Sequence, residues 1–350
     1  MISLSNICKD LGEFVLRDVS LEIEQGEYFM ILGPTGSGKT ILLETIAGVY
    51  RPDSGRILLN GVDVTFLPPR ERNVGMVYQD YMLFPHLTVE QNIAFGLRFM
   101  KTAPADGKRA VRRLAELLGV DALLHRYPGT LSGGEQQRTA IARALIVEPD
   151  VLLLDEPLSA LDARTREKLR EELLRLHRLT RTTIVHVTHG FDEAFLLGSR
   201  MAIMNQGRVE QVGEPAEVFR RPGSRFAAEF LGMGNLFKGD SVVENGISRV
   251  RIGETELVSA VHLPGRVHAS VRPEHILLSL APFESSARNA FSGPIRRILD
   301  NGTTLQVTVD IGVPMTAALT RRSFEDMALT EGKTVHLTFK AADVHLFGPA

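Results

Sequence analysis

The sequence predicts an α/β domain followed by a smaller all-β domain, and three observations carry that expectation. From Leu4 to about Leu231, short apolar runs alternate with longer amphipathic stretches, the pattern of strands and covering helices. Gly232-Met233-Gly234 then breaks the chain, and beyond it apolar and polar residues alternate with period two. The length agrees, since 350 residues at roughly 150 per domain gives two, and 44% hydrophobic content supplies a core for each.

Taken in order, Tyr28 to Leu32, Val151 to Leu154 and Thr183 to Val187 are the strand candidates of the first domain. Lys108 to Leu118 puts Val111, Leu114, Leu117 and Leu118 on one helical face and Arg109, Arg112, Arg113 and Glu116 on the other. Ala163 to Leu179 spaces Leu169, Leu173 and Leu176 as a helix, with Glu171 and Arg175 as a supporting ion pair. In the second domain, Leu305, Val307, Val309 and Ile311 alternate with polar residues, as do Val335, Leu337 and Phe339. Asn301-Gly302 reads as the tight turn between Ile295–Leu299 and the strand beginning near Thr304. Several short strands in this space predict a small antiparallel barrel or a pair of them.

The charge balance, 40 basic against 42 acidic residues for a net of −2, leaves no bulk field to hold nucleic acid or an anionic membrane. The single cysteine, Cys8, fits a reducing compartment and excludes a cysteine-based metal cluster. No apolar run approaches the roughly 20 residues of a spanning helix, and Met1 to Asp10 lacks the plan of a signal peptide. A cytoplasmic, at most peripheral, protein is expected.

Gly33-Pro34-Thr35-Gly36-Ser37-Gly38-Lys39-Thr40 fits G-x-x-x-x-G-K-[ST], after an apolar run and before the helical Ile41 to Ala47. Glycines at these places let successive N–H groups turn inward around a phosphate. Lys39 is expected to reach the terminal phosphates, and Thr40 to offer its hydroxyl to Mg²⁺. Val151-Leu152-Leu153-Leu154-Asp155-Glu156 is a buried strand delivering two carboxylates at its end. Asp155 is assigned to Mg²⁺ and Glu156 to polarising the attacking water. Leu131-Ser132-Gly133-Gly134-Glu135-Gln136 precedes a helical run and reads either as a second anion site or as an N-capped helix.

Together with Gln79, Ser159-Ala160-Leu161-Asp162 and His189, in that order along the chain, these segments resemble the ATP-binding subunits of ABC transporters over nearly all of residues 1–231. The resemblance implies a P-loop ATPase domain over 1–231 with a helical subdomain at about 88–145, and an OB-like barrel over 235–350. It implies ATP and Mg²⁺, and two subunits packed head to tail, each ATP lying between one phosphate loop and the other subunit's signature. Ser132, Gly133, Gly134 and Glu135 form that signature, with Ser132 and Gly134 on the γ-phosphate. His189 then holds the γ-phosphate and orients Glu156, Gln79 senses nucleotide at Mg²⁺, and Asp162 belongs to the adjoining loop. The family's adenine-stacking aromatic aligns with Leu11; Phe14, the nearest aromatic, either takes that role or belongs to the core. Tyr81, Leu83, Phe84 and Pro85 resemble the segment that receives a permease helix in importers, and could equally be core.

Ser285-Ser286-Ala287-Arg288-Asn289, Thr320-Arg321-Arg322-Ser323 and Lys340-Ala341-Ala342-Asp343 resemble the molbindin-type domain of molybdate and tungstate proteins. That resemblance implies a regulatory oxyanion site drawing on Ser286, Arg288, Asn289, Thr320, Ser323 and Lys340. Such a site in a domain fused to an ATPase implies feedback inhibition, a permease dimer and a solute-binding protein as partners, and a place on the cytoplasmic face of the membrane. A polar linker at 285–289, import of sulfate, iron(III), sugar or polyamine, a non-transport ABC ATPase and a phosphotransferase are the competing readings.

Overall fold

The computed structural model describes residues 1–100 and 103–348. Its first unit, Met1–Val218, opens with β1 (Ile2–Asp10), β2 (Val15–Ile23), β3 (Tyr28–Leu32) and α1 (Lys39–Ala47). β4 (Ser54–Leu59), β5 (Val62–Asp63) and β6 (Val74–Val77) follow, then α2 (Val89–Ile93), α3 (Pro104–Leu117) and α4 (Gly133–Leu145). β7 (Val151–Asp155), α5 (Ala163–Thr180), β8 (Thr183–Thr188), α6 (Phe191–Leu197), β9 (Arg200–Asn205) and β10 (Arg208–Gly213) complete it, with α7 (Pro215–Arg220) running out of it.

β3, β7 and β8 are buried at every residue, which suits strands covered on both faces. They sit in a six-stranded sheet of order β10-β9-β3-β8-β7-β6, parallel except for β10. The register pairs Leu32 with Thr188, Asp155 with Val187 and Val77 with Leu154, so the loops after β3, β6, β7 and β8 leave one edge of the sheet. A second, antiparallel sheet, β2-β1-β4-β5, shares a core with α1 that includes Ile7, Leu16, Leu42, Ile46 and Leu153.

Among the described residues between Val89 and Leu145 there is no strand, and the chain runs through α2, α3 and α4 with short 3₁₀ helices and loops between them. α3 starts at Pro104, four residues before the expected Lys108, because proline suits the first helical position. Leu169, Leu173 and Leu176 are the buried face of α5. Among the described residues Glu171 and Arg175 form no ion pair; α5 is tied instead by Glu167–Arg170 and by Arg138–Glu172 to α4.

The second unit contains α8 (Arg225–Phe230), β11 (Asn235–Glu244), β12 (Ile247–Ile252), β13 (Thr255–Ser259), β14 (Gly265–Val271) and β15 (Leu277–Ser279). β16 (Asn289–Asp300), β17 (Thr304–Asp310), β18 (Pro314–Thr320), α9 (Arg321–Asp326), β19 (Thr334–Phe339) and β20 (His345–Phe347) follow. Two antiparallel sheets, β13-β12-β11-β14-β20 and β15-β19-β16-β17-β18, enclose one apolar core. This is the OB-like β domain. At the β16–β17 hairpin only Gly302 takes a positive φ, 88°; Asn301 bonds back to Thr304, and Asp300 accepts the Gly302 N–H.

The boundary falls earlier than the Gly232 break. The second unit begins at Phe219, because Ala228 and Met233 pack with Phe347, His345 contacts the Pro222 carbonyl and Arg272 donates to that of Phe219.

Candidate functional site

The loop after β3 wraps tightly. A Cβ on Gly33 would lie 2.4 Å from the Met204 carbonyl oxygen, and Gly38, at φ +98°, carries the Phe14 ring where its Cβ would be. Lys39 is buried, and its Nζ donates to the Gly33 and Pro34 carbonyls at 2.9 Å each. Burial pushes the ammonium below its usual range, opposed by the Glu156 and Asp155 carboxylates. Ser37 Oγ is buried without a hydrogen-bond partner among the described residues, and Thr35 and Gly36 are exposed at the tip. An orphaned hydroxyl, a buried cation and the first-turn amides of α1 fit a polyphosphate.

Thr40 Oγ1 lies 2.9 and 3.1 Å from the two carboxylate oxygens of Asp155, at the end of β7. Burial pushes this carboxyl up, with the Thr40 hydroxyl opposing. A hydroxyl beside a half-desolvated carboxylate is a hard oxygen set, and it fits Mg²⁺. Gln79 is exposed two residues beyond Val77, on the same sheet edge.

Glu156 takes φ 44°, a left-handed conformation that its side chain disfavours. Its N–H donates to the Val187 carbonyl, and its own carbonyl accepts from the Ser159 N–H and hydroxyl, so strand β8 and the loop after β7 hold it there. The turn aims the carboxylate at the end of β8, where His189 Nδ1 lies 3.4 Å from Glu156 Oε2. The sequence carries no signal for this backbone state.

Ser132 caps α4 in a reciprocal box with Glu135, whose carboxyl is held below its usual range chiefly by the Ser132 N–H. Gly133 is exposed, while Gly134 is buried against Thr165, whose Cγ2 would lie 2.7 Å from a Cβ there. Asp162 caps α5 by accepting from the Arg164 and Thr165 N–H groups. These residues form a second cluster on the starts of α4 and α5. Among the described residues no hydrogen bond or ion pair joins it to the cluster around Lys39, Asp155 and Glu156.

The six oxyanion candidates divide between the two ends of β16. Asn289 pairs with Phe339, which puts the exposed Arg288 and Lys340 side by side just beyond the β16–β19 ladder, with the exposed Ser286 nearby in sequence. Thr320 and Ser323 lie towards the other end, where Thr320 pairs with Thr304 and caps α9. Asn289 itself is 1% exposed, and its amide accepts from the Val258 N–H and donates to the Val258 carbonyl. Its side chain is therefore a tie between β13 and β16 rather than an exposed donor.

Residues 16–159 match the ABC transporter family and residues 285–346 the TOBE domain family. The molybdate/tungstate import ATP-binding protein WtpC of Pyrococcus horikoshii is 46% identical over 348 residues, 99% of this chain and 100% of that one. The chain belongs to the ABC transporter ATP-binding subunits. The sulfate/thiosulfate import ATP-binding protein CysA of Thermosynechococcus vestitus is 41% identical over 339 residues, 96% of this chain and 95% of that one. Among solved structures, the ATP-binding cassette MJ0796, a post-hydrolysis dimer bound to ADP and Pi, is 31% identical with a TM-score of 0.55, covering 61% of this chain and 99% of that one. As an ABC importer ATPase, the chain couples ATP and Mg²⁺ to transport, in a family whose cassettes dimerise and pair with membrane permeases. Among the described residues no helix is long and apolar enough to cross a membrane.

In this ABC subunit, Phe14 is half-buried and packs on the core behind Gly38, while Leu11 is exposed. Tyr81 is buried, whereas Leu83 and Phe84 are half-buried and Pro85 is exposed. Two residues that sequence reasoning missed build this segment. Asn92, fully buried, bonds to Phe84 through its N–H and carbonyl and to the Leu87 and Thr88 carbonyls. Arg143 donates to the Tyr81 and Met82 carbonyls and lies 5.2 Å over the Phe84 ring. Tyr81 and Met82 have φ of 58° and 43°, a local strain that Arg143 holds in place.

Proposed function

We propose that this chain is the ATP-hydrolysing subunit of a molybdate or tungstate importer, acting as a pair of copies on the cytoplasmic face of a permease dimer served by a solute-binding protein. The observation that carries the hydrolytic part is the convergence of Lys39, Thr40–Asp155 and Glu156–His189 on one sheet edge. Ser37 and Lys39 bind the phosphates, and Thr40, Asp155 and Gln79 hold Mg²⁺, which neutralises phosphate charge when bound. Glu156 accepts the proton of the attacking water, and His189 orients that carboxylate. The signature, Ser132 to Glu135, and Asp162 cap α4 and α5 and, among the described residues, make no hydrogen bond or ion pair with this cluster, which supports a role on a second copy's nucleotide. Phe14 is assigned to the floor of the phosphate loop, leaving the adenine contact elsewhere. Tyr81, Leu83, Phe84 and Pro85 form the permease-facing segment.

Similarity to the WtpC protein across both units supports the substrate assignment. The adjacent Arg288 and Lys340, with Ser286, form one half of a regulatory oxyanion site, and Thr320 and Ser323 of a second copy supply the other half. A doubly charged anion leaving water needs several such donors. Bound oxyanion then inhibits hydrolysis.

Calorimetric titration of the full chain with molybdate, tungstate and sulfate in parallel tests the site. Binding of the first two, lost in Arg288→Ala/Lys340→Ala, is expected; a folded protein that binds neither overturns the oxyanion assignment. Selective sulfate binding favours the alternative raised by the CysA likeness. Hydrolysis by the assembled importer that ignores added molybdate and tungstate overturns feedback alone.

A further inference from the structure

Behind the turn that carries His189 runs a buried polar chain with no part in the hydrolysis described above. Tyr28 on β3, His186 on β8 and Glu193 on α6 are 1%, 0% and 6% exposed. Tyr28 Oη lies 3.0 Å from His186 Nδ1, and His186 Nε2 faces Glu193 Oε2 at 3.5 Å. On the far side of Glu193, Arg170 Nη2 of α5 lies 3.7 Å from Oε1. Burial lowers the His186 pKa to about 3, so the ring is neutral. Burial also raises the Tyr28 phenol well above its usual range, so it keeps its proton. A neutral imidazole has one N–H; with Tyr28 donating to Nδ1, that N–H is on Nε2 and faces Glu193.

The outer end of this chain meets the His189 turn. Thr188 Oγ1 accepts the Gly190 N–H at 3.0 Å, and a Cβ on Gly190 would lie 3.4 Å from Glu193 Oε1. Glu193 thus stands behind the residue next to His189, while Arg170 of α5 and His186 of β8 flank it, neither within hydrogen-bonding distance. We propose that Glu193, flanked by Arg170 and His186, is a positioning residue for His189, fixing the 188–190 turn and with it the His189–Glu156 contact. The proposal rests on His189 acting in hydrolysis as described above. The competing account is that the chain only anchors α6 in the fold.

A double-mutant cycle on single-turnover ATP hydrolysis by the full chain separates the two. Glu193→Gln is expected to lower the rate about tenfold or more with the KM for ATP changed less than about twofold. In a His189→Ala background the same substitution is expected to change the rate less than about twofold, because the residue it acts through is gone. Equal losses in both backgrounds, or an unchanged rate in Glu193→Gln alone, overturn the proposal. Full activity of His189→Ala overturns the role given to His189 and this inference with it, and that single variant tells the two failures apart. Should Glu193→Gln not fold, Tyr28→Phe, which removes the bond that sets the His186 tautomer, goes through the same cycle under the same criterion.

Discussion

Replacing Asn289 by alanine tests which of two jobs its amide performs. In the structure the side chain is 1% exposed, with Oδ1 2.8 Å from the Val258 nitrogen and Nδ2 2.9 Å from its carbonyl oxygen. Alanine removes both partners and leaves a backbone donor and acceptor buried in the β domain. Each unsatisfied group costs about 1–3 kcal/mol, so the loss of two is expected to destabilise this unit by about 2–6 kcal/mol. At roughly 3–5 °C per kcal/mol for a unit of this size, its unfolding transition falls by about 6–30 °C. Differential scanning calorimetry of the full chain reads that shift, with Ser286→Ala, an exposed neighbour, as the control expected within about 0.5 kcal/mol of the parent. An Asn289→Ala protein that unfolds at the parental temperature yet no longer binds molybdate refutes the reasoning, since its amide is then spent on the ion.

Glu156→Gln keeps the shape of the side chain but cannot take a proton, so phosphate release is expected to fall about 10²–10⁴-fold while ATP still binds in a nucleotide titration. Ser132→Ala breaks the α4 cap and is expected to cost about 1 kcal/mol in urea unfolding at pH 7. The Ser132 N–H holds the Glu135 carboxyl below its usual range, so the capping-box contribution is present above the unfolded carboxyl's pKa and is lost as pH falls through the folded value. The gap between parent and Glu135→Ala, which removes the carboxyl where Ser132→Ala keeps the N–H donor, should therefore narrow on the acid side in urea series at falling pH. Arg143→Ala frees the left-handed Tyr81–Met82 pair and is expected to reduce hydrolysis by the assembled importer more than hydrolysis by the isolated subunit, measured as the ratio of the two rates.

Much of the candidate nucleotide site was legible because its chemistry is local in sequence. Gly33 to Thr40 must be strand, loop and helix in succession, and the apolar run to Leu154 must end where charge can leave a buried sheet. The two-domain plan was legible from periodicity, but its boundary was not. Gly232 to Gly234 is the flexible point, whereas Phe347, more than a hundred residues later, decides that Ala228 and Met233 belong to the second core.

The sequence alone determined the residue types gathered on the loops after β3 and β7, since glycines, a lysine, a hydroxyl and carboxylates at these spacings suit the chemistry of phosphate and metal binding. Tertiary structure decided what depends on partners far along the chain. The left-handed state of Glu156 is held by β8 and Ser159, and the internal task of Asn289 by Val258. The chain from Tyr28 through His186 to Glu193 joins three elements that no local pattern connects. A side chain's type sets which bonds it can make, while burial and the neighbours that folding brings to it set which ones it does make.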